Sequence, residues 1–173
     1  MINESNILKY GDIGLKKLSF ADLGLAVGKQ THIGLNQGAI SPHQLEYECY
    51  TKLIYKGYFY DGISHIDRIT RKNGRVNAPR LKSGGNDADS TFKKIRSLCT
   101  QDKEYHILYI QCSIDEIHII LFETESDIFK KLDDIVGYSS SLRTPWKPYS
   151  KWEDNEINAV KNIFLAEVEP GES

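Results

Sequence analysis

Residues 68 to 85, RITRKNGRVNAPRLKSGG, carry Arg68, Arg71, Lys72, Arg75, Arg80 and Lys82 and no acidic side chain. Guanidinium and ammonium groups donate charge-assisted hydrogen bonds to phosphate, and arginine can fork onto N7 and O6 of guanine in the major groove. Asn77 adds a side-chain amide of the kind that pairs with adenine. Asn73-Gly74, Pro79 and Gly84-Gly85 mark the stretch as a rigidified loop. A second donor-rich stretch, LSFADLGLAVGKQTHIGL at 18 to 35, holds Ser19, Lys29, Gln30, Thr31 and His32, directly after Lys16 and Lys17. Its Gly24, Gly28 and Gly34 would let the backbone approach a ligand that a side chain would block. Two such loops on one sheet would grip a duplex between them like a wrench.

Hydrolytic chemistry finds less support. Restriction-type cleavage needs two acids and a lysine around Mg²⁺, and no acid-any-lysine run follows an acidic strand end. Glu46-Tyr-Glu48 and Glu123-Thr-Glu125 pair acids without that lysine. They read as solvated strand-face acids. His65-Ile-Asp67 is a structural pair before it is an acid-base pair, and His106 and His118 read as satisfied histidines of core strands. No catalytic residue, metal ligand or cofactor is assigned; Mg²⁺ enters only if the chain is a small nuclease acting through Glu123 or Asp67.

The elements that must position these loops are mostly strands. Residues 13–20 and 31–36 read as short strands, and 45–60 alternates with the period of a half-buried strand, broken into a hairpin at Gly57. ISHIDRIT continues the alternation up to an Asn-Gly turn. A helix follows over 87–100, capped by Asp87, Asp89 or Ser90, with Lys93, Lys94 and Arg96 on its outside. EYHILYIQCS and EIHIILFETE are the core strand pair, and a second helix over 126–136 starts at Ser126 or Asp127 and stops at Gly137. The stretch YSSSLRTPWKPYS is a loop, a final helix covers about 153–165, and the tail 166–173 frays. The expected fold is α+β: one domain, 1–173, a mostly antiparallel β pseudobarrel with two or three flanking helices.

The net charge of −2 hides a split: residues 16–82 sum to +6 and residues 102–134 to −6. Such asymmetry suits a cationic face for a polyanion. Three scattered cysteines, Cys49, Cys99 and Cys112, read as buried thiols of a reducing compartment. With no apolar run of spanning length and no basic-then-apolar leader in MINESNILKY, the expectation is a cytoplasmic chain without a membrane partner.

KKLSFADLGLAVGKQTHIGL resembles the N-terminal arm of the EcoRII-type effector domain of bacterial restriction endonucleases, and RVNAPRLKSGG resembles that domain's second arm. The likeness extends to MspJI-like, modification-dependent endonucleases. It covers about a fifth of the chain and departs where the family usually has histidine before Gln30, here Lys29. It implies a pseudobarrel akin to the plant B-three domain, with double-stranded DNA as partner and a catalytic domain or a methyltransferase-linked system beside it. Lys17, Ser19, Asp22, Lys29, Gln30 and Thr31 would lie on the first arm, Asp22 bracing it, and Arg75, Asn77, Arg80 and Lys82 on the second. His32 and Arg71 complete the expected DNA-binding set. Sequence-specific duplex recognition is the leading expectation. The alternatives are a reader that flips methylated cytosine against Tyr58, Phe59, Tyr60 or Trp146, or the small Mg²⁺-dependent endonuclease.

Overall fold

The computed structural model describes residues 13–28, 30–36, 45–83, 89–113, 115–148 and 151–168. Strands β1 (Gly14–Leu18), β2 (His32–Gly34), β3 (Glu46–Tyr55), β4 (Tyr58–Asp67), β5 (Arg80–Lys82), β6 (Tyr105–Ser113) and β7 (Glu116–Glu123) are joined by helices α1 (Thr91–Leu98), α2 (Asp127–Val136) and α3 (Asp154–Val168). They form one seven-stranded sheet in the order β1-β6-β7-β3-β4-β5-β2, antiparallel except for the β3–β7 pair. This is the α+β pseudobarrel that the alternation predicts.

The strand patterns follow from which faces are covered. In β6 and β7 both faces are buried, which is why their apolar content is nearly continuous. Tyr105, Ile107, Tyr109, Ile117, Ile119 and Leu121 point into the barrel, against Leu53, Ile66, Leu81, Phe92 and Ile95. Leu108, Ile110, Cys112, Ile120 and Phe122 point outward under α2 and α3, against Leu132, Val136, Trp146, Val160 and Phe164. The β3–β4 hairpin keeps more polar positions because less covers its outer face. Lys56 (φ 51°) and Gly57 (φ 79°) form its two-residue turn, whose left-handed backbone matches the strand twist. Ser90 and Ser126 cap α1 and α2 by accepting the Lys93 and Phe129 amides. Helix α3 continues to Val168, three residues past the point where the tail was expected to fray.

The sheet's two edges, β1 and β2, are joined by side chains where no ladder joins them. Lys16 sits on the barrel side of β1, donates to the Gly34 carbonyl and pairs with Asp22 at 3.2 Å. Tyr109 reaches across from β6: its hydroxyl accepts the Asn36 amide and donates to Asn36 Oδ1 at 2.6 Å. That reach depends on Gly14, since a Cβ there would lie 2.1 Å from the Tyr109 ring. Bridging the edges in this way blunts two unpaired strands that would otherwise template aggregation.

Candidate nucleic-acid interface

Ile33, Leu81 and Ile66 face the barrel core, so strand alternation places His32, Gly34, Arg80, Lys82, His65 and Asp67 on the outer face of the β2–β5–β4 strip. Two rows cross that face in register, His32–Lys82–His65 and Gly34–Arg80–Asp67. Asp67 organises them. Its carboxylate takes a forked pair from Arg80 at 2.8 and 2.9 Å and a third contact from Lys82 at 2.8 Å. Burial works against its ionisation, but the hydrogen bonds and charges of Arg80 and Lys82 prevail and hold the carboxyl at about 2. Burial, with the Arg80 charge next, lowers the His32 pKa, so its ring is neutral at pH 7. On the β3 side, His65 Nε2 meets Glu46 at 2.9 Å.

From this fixed root the chain 68–79 projects as a continued hairpin. The Asn77 amide donates to Ile69 O, Thr70 bridges Val76, and Arg71 N donates to Arg75 O at 2.7 Å. Asn73 Oδ1 accepts the Arg75 amide, and Gly74 (φ 83°) completes the tight tip. Residues 71 to 76 are all exposed, presenting Arg71, Lys72 and Arg75 together. Asn77 is partly used, because its Oδ1 accepts from Arg71 Nε at 2.7 Å. Arg68, at the base of the loop, is buried.

The first arm is built differently. Ser19 and Asp22 form a reciprocal capping pair: Ser19 N donates to Asp22 Oδ2 at 2.9 Å, and Asp22 N to Ser19 Oγ at 3.0 Å. Asp22 is 4% exposed, and its carboxylate is spent on bonds within the loop. Gln30 spends its amide inside the loop, donating to Asp22 Oδ1 and to His32 O. Arg96 of α1, which the helical spacing placed on the solvent side, instead clamps the arm through the carbonyls of Ala21, Asp22 and Gln30. Gly24 (φ 72°) sits under that guanidinium, where a Cβ would come within 2.9 Å of it. Thus at least one glycine of this arm answers to the turn and its clamp. Thr31 is exposed at the arm's end, and Lys29 lies outside the described residues.

The strand directions set the two arms apart. The first arm enters β2 at the level of Lys82, whereas the 68–79 hairpin leaves at the level of Arg80. They stand at opposite ends of one strip, like jaws with a floor of strand between them. Thr31 to Leu35 spans roughly 13 Å at 3.3 Å per residue. Thr31, His32, Arg80 and Lys82 belong to that strip; Arg71, Arg75 and Asn77 belong to the hairpin beyond it. Ser19 stays within its own turn. Lys17 is elsewhere, on β1 beside β6, with Glu104 at 3.4 Å.

The charge split of the sequence does not persist as two faces. Because β1 lies against β6 and β3 against β7, cations of the first half meet acids of the second: Lys17 with Glu104, and Lys56 with Glu123 at 3.1 Å. Glu123 also accepts from Tyr55 and Lys103. Both carboxylates considered for cleavage, Glu123 and Asp67, are therefore engaged, and among the described residues no three His, Cys, Asp or Glu side chains gather as metal ligands do. Trp146 is 1% exposed in the helix-covered core, which corrects its assignment as a stacking wall; Tyr58 and Phe59 remain exposed at 69% and 45%. His106 is buried as expected but not fully satisfied: Nδ1 meets Thr124 at 3.2 Å, while Nε2 has no partner among the described residues. All three cysteines are free and buried, and burial pushes each thiol up to about 12. Among the described residues no helix is long and apolar enough to cross a membrane. No protein-family model and no curated protein matches the chain.

Proposed function

We propose that this chain is a double-stranded DNA-binding module whose β4–β5 hairpin enters the major groove, serving the sequence-recognition step of a restriction-modification system. The observation that carries this reading is the hairpin tip: residues 71–76 are exposed, three of them cationic, with no acid between 68 and 83. A two-stranded ribbon is one of the elements the major groove admits. The tight turn and the Asp67-anchored root mean that little ordering entropy is lost when it docks. The restriction context rests on the resemblance of 16–35 and 75–85 to effector-domain arms. Flipping of methylated cytosine is the second reading, favoured by the exposed rings of Tyr58 and Phe59 on the β3–β4 hairpin.

Fluorescence anisotropy with short labelled duplexes in EDTA tests the proposal. Wild type is expected to bind, and the Arg71→Ala/Lys72→Ala/Arg75→Ala triple variant to lose about 100-fold in affinity with its melting temperature unchanged. Wild-type affinity in the triple variant would remove the hairpin from the interface. A preference for methylated duplex in the same assay would select the second reading, and strand cleavage on adding Mg²⁺ would select a nuclease.

A further inference from the structure

Where β2 ends, a cavity of about 300 Å³ opens between the seam of the barrel and the loop that follows α2. Lys16, Gly34, Asn36, Ala78, Arg143 and Thr144 line it, with no acidic side chain among the described residues of its wall. Two cations face it from separate elements. Lys16 is fixed by the Gly34 carbonyl and Asp22, while Arg143 is exposed and has no carboxylate partner among the described residues. After burial and the opposing pull of Asp22, the Arg143 charge is a further influence on the Lys16 ammonium, so the two cations feel each other across the cavity. Two cations that face one cavity attract an anion into it, Arg143 with its charge unshared among the described residues and Lys16 with part of its charge met by Asp22. Ala78 adjoins Asn77, so the cavity opens at the root of the basic hairpin.

We infer that this cavity seats a backbone phosphate of the duplex, with Arg143 as its mobile cation and Lys16 as its fixed one. The inference rests on the DNA-binding reading and extends it: the hairpin in the groove would be flanked by a phosphate clamp drawn from the loop after α2. Such a contact positions the protein and carries no base information.

The test is the salt dependence of random-duplex affinity for wild type, Arg143→Ala and Arg143→Lys between roughly 50 and 200 mM salt. The plot of log affinity against log salt should become less steep by about 0.9 in Arg143→Ala and stay unchanged in Arg143→Lys. Since Arg143 is exposed, melting should not move. A wild-type slope in Arg143→Ala overturns the phosphate clamp and leaves the DNA reading standing; absence of duplex binding by wild type overturns both. Inorganic phosphate, titrated by NMR, separates the source of the anion. Phosphate that perturbs Arg143 and displaces the duplex supports the inference. Phosphate that saturates the cavity without weakening duplex binding assigns the cavity to a free anion and overturns it.

Discussion

His106 shows how one residue links packing to pH. Its ring is 0% exposed, stacked on Phe122 at 5.6 Å and edge-on to Trp146 at 4.9 Å, with Phe129 and Tyr138 closing the cage. Burial, helped by the Lys17 charge, holds its pKa down at about 3. In the unfolded chain the ring takes a proton near 6.5. Below that pH the unfolded state binds a proton that the folded state refuses, so stability falls as pH drops from about 6.5 toward 3. The slope is about 1.4 kcal/mol per pH unit, or roughly 2 kcal/mol between pH 7.5 and 5. His106→Phe keeps the aromatic cage and abolishes the proton. Urea unfolding of the two proteins at pH 7.5 and pH 5 should therefore show the variant gaining about that much relative to wild type at the lower pH. Equal acid sensitivity in both would mean that the cage admits the charged ring.

At the level of elements, the seam between β1 and β2 decides whether the barrel is nearly closed. Gly14→Ala places a methyl group where the Tyr109 ring lies and must displace the ring from Asn36. Overpacking of this kind costs about 1 to 3 kcal/mol. Tyr109→Phe, which keeps the ring and loses only the hydroxyl contacts, should cost about 1 kcal/mol. Chemical denaturation that ranks Gly14→Ala no worse than Tyr109→Phe would contradict the steric account. The seam also marks the limit of what the sequence revealed. Six of the strands, the turn at Gly57 and the Asn73-Gly74 tip were legible, and Ser90 and Ser126 stood among the candidate caps, because each depends on neighbours a few residues away; β5 (Arg80–Lys82) was not, since it falls in a stretch whose composition reads as a loop. The parallel β3–β7 contact, the Lys16 and Tyr109 bridges and the Arg96 clamp were not. Arg96 and Gln30 are 66 residues apart, and nothing in a helical wheel tells a solvated arginine from one that reaches another loop. The cationic loop was legible by composition, but its division into a neutralised root and a free tip required Asp67 to be seen opposite Arg80.

For the molecule as a whole, the question is how many of its cations a polyanion can use. Residues 16–82 contain eleven Lys and Arg, and if all met phosphates the salt slope of duplex binding would approach about −10. Within that segment, however, Lys16, Lys17, Lys56, Arg80 and Lys82 are ion-paired in the fold. Arg71, Lys72 and Arg75 on the tip, with Arg143 beside its root, make four contacts and a slope of about −3.6. Raising salt from roughly 50 to 200 mM should then weaken binding about 100-fold, a moderate dependence that leaves room for base contacts to discriminate. Titrations at four or more salt concentrations measure this directly. A slope near −10 would require the folded ion pairs to open on the duplex, so that Asp67 gives up Arg80 and Lys82 to phosphate and the root becomes part of the reading surface.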